Sequence, residues 1–254
     1  VMLKVENLSF SYSREEVLKN INFTAQKGEL ITLIGPNGSG KSTILKCINS
    51  YLKVEQGNIK IKAKDLLSYS KNELAEIIAY IPQLENYSFP LTVFETILMG
   101  RKSHSSWRAS QKDKEITAEV IAKLDLGDFS CTNINNLSGG QKQKVFIGRM
   151  MAQQADLILL DEPTNNLDLK HQLEIFELIQ AEVDKGKTAV VTMHDLSLVS
   201  RFSDRIIMLK DGKIYSDGDK NSLSAAKINT VYGVEVSLKE HNGSQVIIPE
   251  RVVV

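Results

Sequence analysis

Gly35-Pro36-Asn37-Gly38-Ser39-Gly40-Lys41-Ser42-Thr43 lies between an apolar run, Leu30 to Ile34, and a helix-forming run, Ser42 to Ile48. A glycine, four residues and then Gly-Lys-Ser at a strand-to-helix junction is the pattern of a phosphate-binding loop. Its glycines let the backbone wrap an anion without Cβ clashes, so successive N–H groups and the N-terminus of the next helix converge on phosphate oxygens. Lys41 adds a full positive charge, and Ser42 offers a hydroxyl to a Mg²⁺ ion bridging the terminal phosphates. Asn37, Gly38, Ser39, Gly40 and Thr43 complete the predicted nucleotide contacts. A bland glycine turn would leave Lys41-Ser42 unexplained.

Upstream of the loop, Leu3 to Phe10, Ile21 to Ala25 and Leu30 to Ile34 read as short strands, with Lys27-Gly28-Glu29 as a turn. They predict an antiparallel β layer feeding the strand before the loop. Asn58 to Lys62 and Ala79 to Ile81 read as further strands, the second stopped by Pro82. From Leu91 to about Gln154 the pattern turns helical, and Ile116, Val120, Ile121 and Leu124 fall on one helix face. Strand–helix alternation then resumes with Leu157 to Leu160, a helix over about Lys170 to Val183, Thr188 to Thr192, a helix after Asp195, and Arg205 to Leu209. Short strands separated by helices predict a mostly parallel sheet with helical cover. Lys210-Asp211-Gly212-Lys213 reads as a hairpin turn, Ser222 to Val231 as a last short helix, and the tail to Val254 as β-leaning. The expectation is one α/β domain over residues 1–254, with a core over about 1–90 and 155–220, a helical subdomain over about 91–154 and a short C-terminal extension over about 221–254.

Lys plus Arg equals Asp plus Glu at 31 each, so the formal charge is zero and a general polyanion-binding surface is not indicated. Cys47 and Cys131 follow no metal-ligand spacing, and nothing resembles a secretory signal; both are expected to be reduced cytosolic thiols, with Cys47 packed in the helix after the loop. Apolar runs such as Leu157 to Leu160 fall far short of the ~18–20 residues that span a bilayer. The chain is therefore expected not to cross a membrane by itself.

Two further stretches carry chemistry. Leu157-Ile158-Leu159-Leu160-Asp161-Glu162 is an apolar strand ending in two acids. An Asp at the carboxyl edge of such a strand can hold Mg²⁺ beside Ser42, and Glu162 is placed to polarise a water for attack on a γ-phosphate. Leu137-Ser138-Gly139-Gly140-Gln141 precedes a helix over about Gln141 to Ala152. It offers Ser138, two glycine N–H groups and a positive helix end to an anion, but no lysine. It reads either as a helix N-cap with two turn glycines or as half of a phosphate site completed by another subunit.

Taken in order, these motifs resemble the nucleotide-binding subunit of an ABC transporter over nearly the whole chain. Residues 35–43 resemble Walker A, Leu137 to Gln141 the signature motif, Leu157 to Glu162 Walker B, Asn166-Leu167-Asp168 the D-loop, Gln83 the Q-loop glutamine and His194 the switch histidine. The resemblance implies a P-loop NTPase fold with an antiparallel β subdomain, a mostly parallel core sheet and a helical subdomain. It implies ATP and Mg²⁺ as cofactors, with Ser42, Gln83 and Asp161 toward the metal, and Glu162, Gln83 and His194 as catalytic groups. Tyr12 would stack on adenine, although it also reads as an exposed loop aromatic. Ser138, Gly139, Gly140, Gln141 and Asp168 count among the nucleotide contacts. No Asn-Lys-x-Asp guanine motif is present, which favours ATP over GTP. His104, His171 and His241 are read as structural.

The segment Phe89 to Arg101 would form the cleft that receives a membrane subunit's cytoplasmic helix. Thr92-Val93, Met99-Gly100-Arg101 and His104 resemble the importer branch for iron–siderophore complexes, haem and vitamin B12, with Ser103 where proline is common. The implied partners are a second copy of the chain in a head-to-tail homodimer with shared ATP sites, permease subunits and, indirectly, a substrate-binding protein. The implied location is peripheral, on the cytoplasmic face of the membrane. The local basic stretch Arg101-Lys102, Trp107-Arg108, Lys112 and Lys114 reads as a solvated loop near lipid heads or a partner, and no nucleic acid is expected. The rival readings are an ATPase subunit of another ABC transporter, or a soluble ABC ATPase acting on ribosomes or nucleic acid. The latter normally needs two cassettes in one chain or a long inserted coiled coil. About 30 residues after the last helix-forming stretch are too few for a separate regulatory domain.

Overall fold

Five consecutive buried residues make β3 (Leu30–Ile34), the strand that delivers the chain to the loop. A strand covered on both faces reads as an unbroken apolar run, and Leu-Ile-Thr-Leu-Ile is such a run. In the computed structural model, which describes residues 1–83, 90–104, 108–241 and 244–253, this strand lies in one of two units. The first unit comprises Val1–Ser68 and Thr188–Val254, and the second Tyr69–Lys187.

In the first unit, β8 (Thr188–Thr192) and β9 (Arg205–Lys210) pair with β3 in parallel, placing Thr192 and Ile207 on either side of Leu33. β10 (Lys213–Asp219) returns antiparallel along β9. Asp211 and Gly212 take φ of 50° and 78°, the two left-handed positions that a tight two-residue hairpin requires. A separate antiparallel sheet, in the order β2-β1-β4-β5, contains β1 (Leu3–Tyr12), β2 (Glu15–Ala25), β4 (Gln56–Ile61) and β5 (Lys64–Asp65). The predicted β layer is therefore present, with β2 beginning six residues earlier than its apolar half.

The helix after the loop, α1 (Lys41–Ile48), buries Ile44, Leu45, Cys47 and Ile48. Burial pushes the Cys47 thiol up to about 12, which keeps it protonated and inert, whereas Cys131 is exposed. After α7 (Leu196–Phe202) and α8 (Ala225–Tyr232), the β-leaning tail is an antiparallel ribbon of β11 (Val234–His241) and β12 (Ser244–Val252). The Gln245 N–H donates to Ser200 Oγ at 2.7 Å, tying the ribbon to α7.

The second unit contains α2 (Lys71–Ile77), β6 (Ile78–Ile81), α3 (Val93–Leu98), α4 (Gln111–Lys123), α5 (Gly139–Gln153), β7 (Leu157–Asp161) and α6 (Leu169–Val183), with β6 parallel to β7. Val120, Ile121 and Leu124 are buried as the helical spacing predicts. Helix α2 was not anticipated because it is only seven residues long and its apolar Leu74, Ala75 and Ile77 are no more than half-buried; Ser70 and Glu73 hold its start in a capping box. Gly100 and Gly148 let helices meet closely, the first against the Arg149 carbonyl and the second against Leu124 and Ile97. Among the described residues no helix is long and apolar enough to cross a membrane.

Arg101 fastens three parts of this unit. Its Nε donates to Asp113 Oδ1 at 3.0 Å, and its Nη1 to the Ala152 carbonyl at 2.7 Å and Gln154 Oε1 at 2.9 Å. Arg101 and Asp113 are 7% and 6% exposed, so removing one partner leaves charge buried without its counterion. Arg101→Met is expected to lower the unfolding free energy by about 3 kcal/mol in urea titration at unchanged m-value.

Candidate functional site

The loop between β3 and α1 is shaped by close backbone approaches. A Cβ at Gly35 would meet the Leu209 carbonyl, and one at Gly40 would lie 2.5 Å from Leu18 Cδ2. Gly38, Gly40 and Gly35 all take positive φ, at 80°, 101° and 149°. Gly38 faces open space, while Ser39 is buried and its Oγ has no hydrogen-bond partner. Lys41 is 5% exposed and donates to the Gly35 carbonyl at 2.8 Å and the Pro36 carbonyl at 3.1 Å, which folds its ammonium into the loop. Ser42 is half-buried, Thr43 buried and Asn37 exposed.

The start of α1 differs from that of every other α-helix described. Helices α2 to α8 each receive a side-chain oxygen on an N-terminal N–H, whereas α1 begins at Gly40 with no side-chain cap and no acid in its first turn. Uncapped N–H groups and a positive helix end, next to a buried ammonium, fit a phosphate group. His194 is exposed two residues beyond β8. Because Met193 N–H donates to the Leu33 carbonyl at 3.2 Å, His194 lies on the same carboxyl-terminal edge as the loop. Tyr12 ends β1, is 44% exposed and meets Phe10 edge-on with ring centroids 4.9 Å apart. An exposed ring at a hairpin tip is available for stacking.

In the second unit, Asp161 closes β7 and is 3% exposed. Glu162 follows at φ 51°, a left-handed conformation that costs a non-glycine residue ~1–3 kcal/mol and persists only when its surroundings hold it. Its carboxylate is held by two amides: Gln83 Nε2 donates to Glu162 Oε2 at 2.9 Å and Asn165 Nδ2 donates to the same oxygen at 3.2 Å. The structure thus brings Gln83 and Glu162 together, and it adds Asn165, which sequence reasoning missed. The available signal was an Asn three residues after a strand-terminal acid. Among the described residues no three His, Cys, Asp or Glu side chains form a metal-holding group.

Ser138 caps α5 in a capping box: its Oγ accepts from Gln141 N–H at 3.3 Å, and Gln141 Oε1 accepts from Ser138 N–H at 3.0 Å. The N-cap reading is therefore realised, and the hydroxyl still has its own proton to donate outward. Ser138 and Gly139 are exposed, and Gly140 is buried. Asp168 caps α6, accepting at Oδ1 from His171 N–H at 2.9 Å and Nδ1 at 2.7 Å. These bonds, the backbone one first, hold its carboxyl below the usual range. His104 Nε2 lies 2.8 Å from the Gln153 carbonyl, as a structural histidine would. Phe89 and Trp107 lie outside the described residues.

Residues 18–165 match the family described as ABC transporter. An uncharacterized ABC transporter ATP-binding protein of Methanocaldococcus jannaschii is 42% identical over 98% of both chains. A probable iron chelatin transport ATP-binding protein of Helicobacter pylori is 38% identical over 97% of this chain and 99% of its own. Among solved structures, a chain of an inward-facing ABC transporter described as metal-chelate type superposes with a TM-score of 0.85 at 27% identity, covering 98% of each. A dimeric ATP-binding cassette in a post-hydrolysis state with ADP and Pi superposes with a TM-score of 0.76 at 32% identity, covering 87% of this chain and all of that one.

Gly40→Ala tests the close approach at the loop. A Cβ there meets Leu18 and must also adopt φ near 101°, so the dissociation constant for ATP, read by equilibrium dialysis, is expected to rise at least ~10-fold, or about 1.4 kcal/mol.

Proposed function

Because this chain belongs to the ABC transporter family as an ATP-binding subunit, we propose that it hydrolyses ATP as a head-to-tail homodimer to drive import of a metal chelate through a separate membrane permease. An iron–siderophore complex, haem or cobalamin is the cargo class. The observation that carries the import reading is the likeness, over 98% of both chains, to a transporter chain of metal-chelate type. The likeness to a probable iron chelatin transport protein supports it, and the dimeric cassette supports the homodimer.

Lys41 and the uncapped amides of α1 hold the β- and γ-phosphates, with Asn37 to Thr43 around them. Ser42, Gln83 and Asp161 are the protein's oxygens for Mg²⁺, which supplies charge neutralisation between the phosphates when bound. Glu162 polarises the attacking water. Its two amide donors hold the carboxylate in one orientation. His194 orients the γ-phosphate, and Tyr12 stacks on adenine. Ser138, Gly139, Gly140 and Gln141 of the other copy present a helix N-terminus to the same phosphate, with Asp168 beside them. This closes a site that neither loop completes alone.

The permease has a receptive surface within the second unit. A groove of about 750 Å³ is lined by Glu76, Tyr80, Met99, Lys102, His104 and Arg149, among others. Met99 is 47% exposed there, and Ser103 Oγ is buried with no hydrogen-bond partner. An apolar contact with polar groups around it suits a short amphipathic helix from a membrane subunit. The protein would then sit peripherally on the cytoplasmic face of the membrane.

Glu162→Gln is expected to keep ATP binding, lower kcat at least ~100-fold and accumulate an ATP-bound dimer in size-exclusion chromatography. Normal turnover by this variant would remove the role given to Glu162. Affinity capture of the chain from detergent-solubilised membranes is expected to recover a permease and its binding protein; recovery of ribosomes or DNA would overturn the transport reading.

A further inference from the structure

We propose that His171 is a positioning residue for ATP hydrolysis, joining Ser138-Gly139-Gly140 at the head of α5 to Asp168 at the head of α6 so that both loops present to a partner's nucleotide as one piece. The proposal rests on the shared-site reading above. The sequence offers no hint of it, since His171 is 31 positions from Gly140 and alone reads as an ordinary surface histidine of a helix.

The imidazole occupies the space that a side chain at residue 140 would need. A Cβ on Gly140 would lie 2.6 Å from both Cγ and Nε2 of His171, so the ring packs directly on the buried Cα of the signature glycine. Its other nitrogen, Nδ1, donates to Asp168 Oδ1 at 2.7 Å, and the same oxygen accepts the His171 backbone N–H at 2.9 Å. An ionised carboxylate only accepts, so this bond fixes the proton on Nδ1 and the plane of the ring. One ring thus carries a steric contact to one motif and a directional bond to the other.

The ring is not what keeps the two helices together. One turn further along both, Lys144 Nζ lies 2.8 Å from Glu174 Oε2, and this ammonium holds the Glu174 carboxyl below its usual range. That pair anchors α5 on α6 independently and leaves His171 to set the position of the first turn. Position matters there because a helix end acts on an anion only within its first turn, and misplacement by an ångström can cost ~100-fold in rate. Ser138 and Gly139 are the exposed members that would reach the phosphate, and Gly140 is the buried one through which their position is set.

Three variants separate positioning from filling space. His171→Leu keeps bulk on Gly140 and loses the donor, His171→Asn keeps a donor near the Nδ1 position, and His171→Gln moves that donor one bond further out. Steady-state hydrolysis is expected to show kcat lowered at least ~10-fold in His171→Leu and His171→Gln with KM for MgATP within ~2-fold, and kcat in His171→Asn within ~3-fold of the unmodified chain. Hydrogen exchange on the nucleotide-free protein is expected to accelerate at residues 139–142 and 168–172 in His171→Leu, to recover in His171→Asn, and to stay unchanged at residues 41–48. Unchanged kcat in His171→Leu, His171→Asn no better than His171→Gln, or unaltered exchange at both loops would each overturn the proposal. If His171→Leu does not fold, the Asn and Gln variants decide between the readings. Absence of hydrolysis by the unmodified chain would defeat the ATPase reading instead, while exchange would still report whether the two loops are joined.

Discussion

The backbone of residues 35–43 runs so close to β9 and β2 that a methyl group at Gly35 would strike the Leu209 carbonyl and one at Gly40 the Leu18 side chain. This constraint sets the rest of the first unit. The loop can take that path only if β3 enters it at a fixed height, which the parallel register with β8 and β9 ensures. It can leave only into a helix whose first amides point back into the loop, and α1 is anchored there by its buried Ile44, Leu45, Cys47 and Ile48. Sheet, turn and helix are thus specified by where a backbone must pass, and the ammonium of Lys41 inherits its place from them.

The second unit works by a different economy. Glu162, proposed above to polarise the attacking water, has its carboxylate held by amides from Gln83 and Asn165, and the helix starts of this unit are closed by side chains of the chain itself. Polar fasteners recur there: Arg101 to Asp113, Lys144 to Glu174, His171 to Asp168. Such bonds are directional and fix position more sharply than apolar packing does, though they contribute less net stability than their number suggests. A unit that must present two loops accurately has reason to be assembled this way.

The loop, the strands of the first unit and the acids after β7 were legible because each is a local pattern: glycine spacing, an unbroken apolar run, a run ending in charge. The two senses of Ser138-Gly139-Gly140 were also both present in the residues, and the capping box realises the N-cap sense. What escaped is of two kinds. Helix α2 is seven residues long, too short for Leu74 and Ile77 to establish a period, although Ser70 and Glu73 already spelled its start. Asn165 had only a weak local signal, its spacing of three from Glu162, and His171 gains its significance from where the fold places Gly140, 31 positions away, which no spacing rule encodes.

The missing cap on α1 has a consequence for the life of the protein as well as for its chemistry. Among the described residues, seven α-helices have a side-chain N-cap and α1, which follows the phosphate-binding loop, has none. Any ligand that binds only the folded chain adds to its stability in proportion to the logarithm of its concentration. The folded population would therefore rise with the concentration of any nucleotide whose phosphates occupy the loop, ADP as well as ATP.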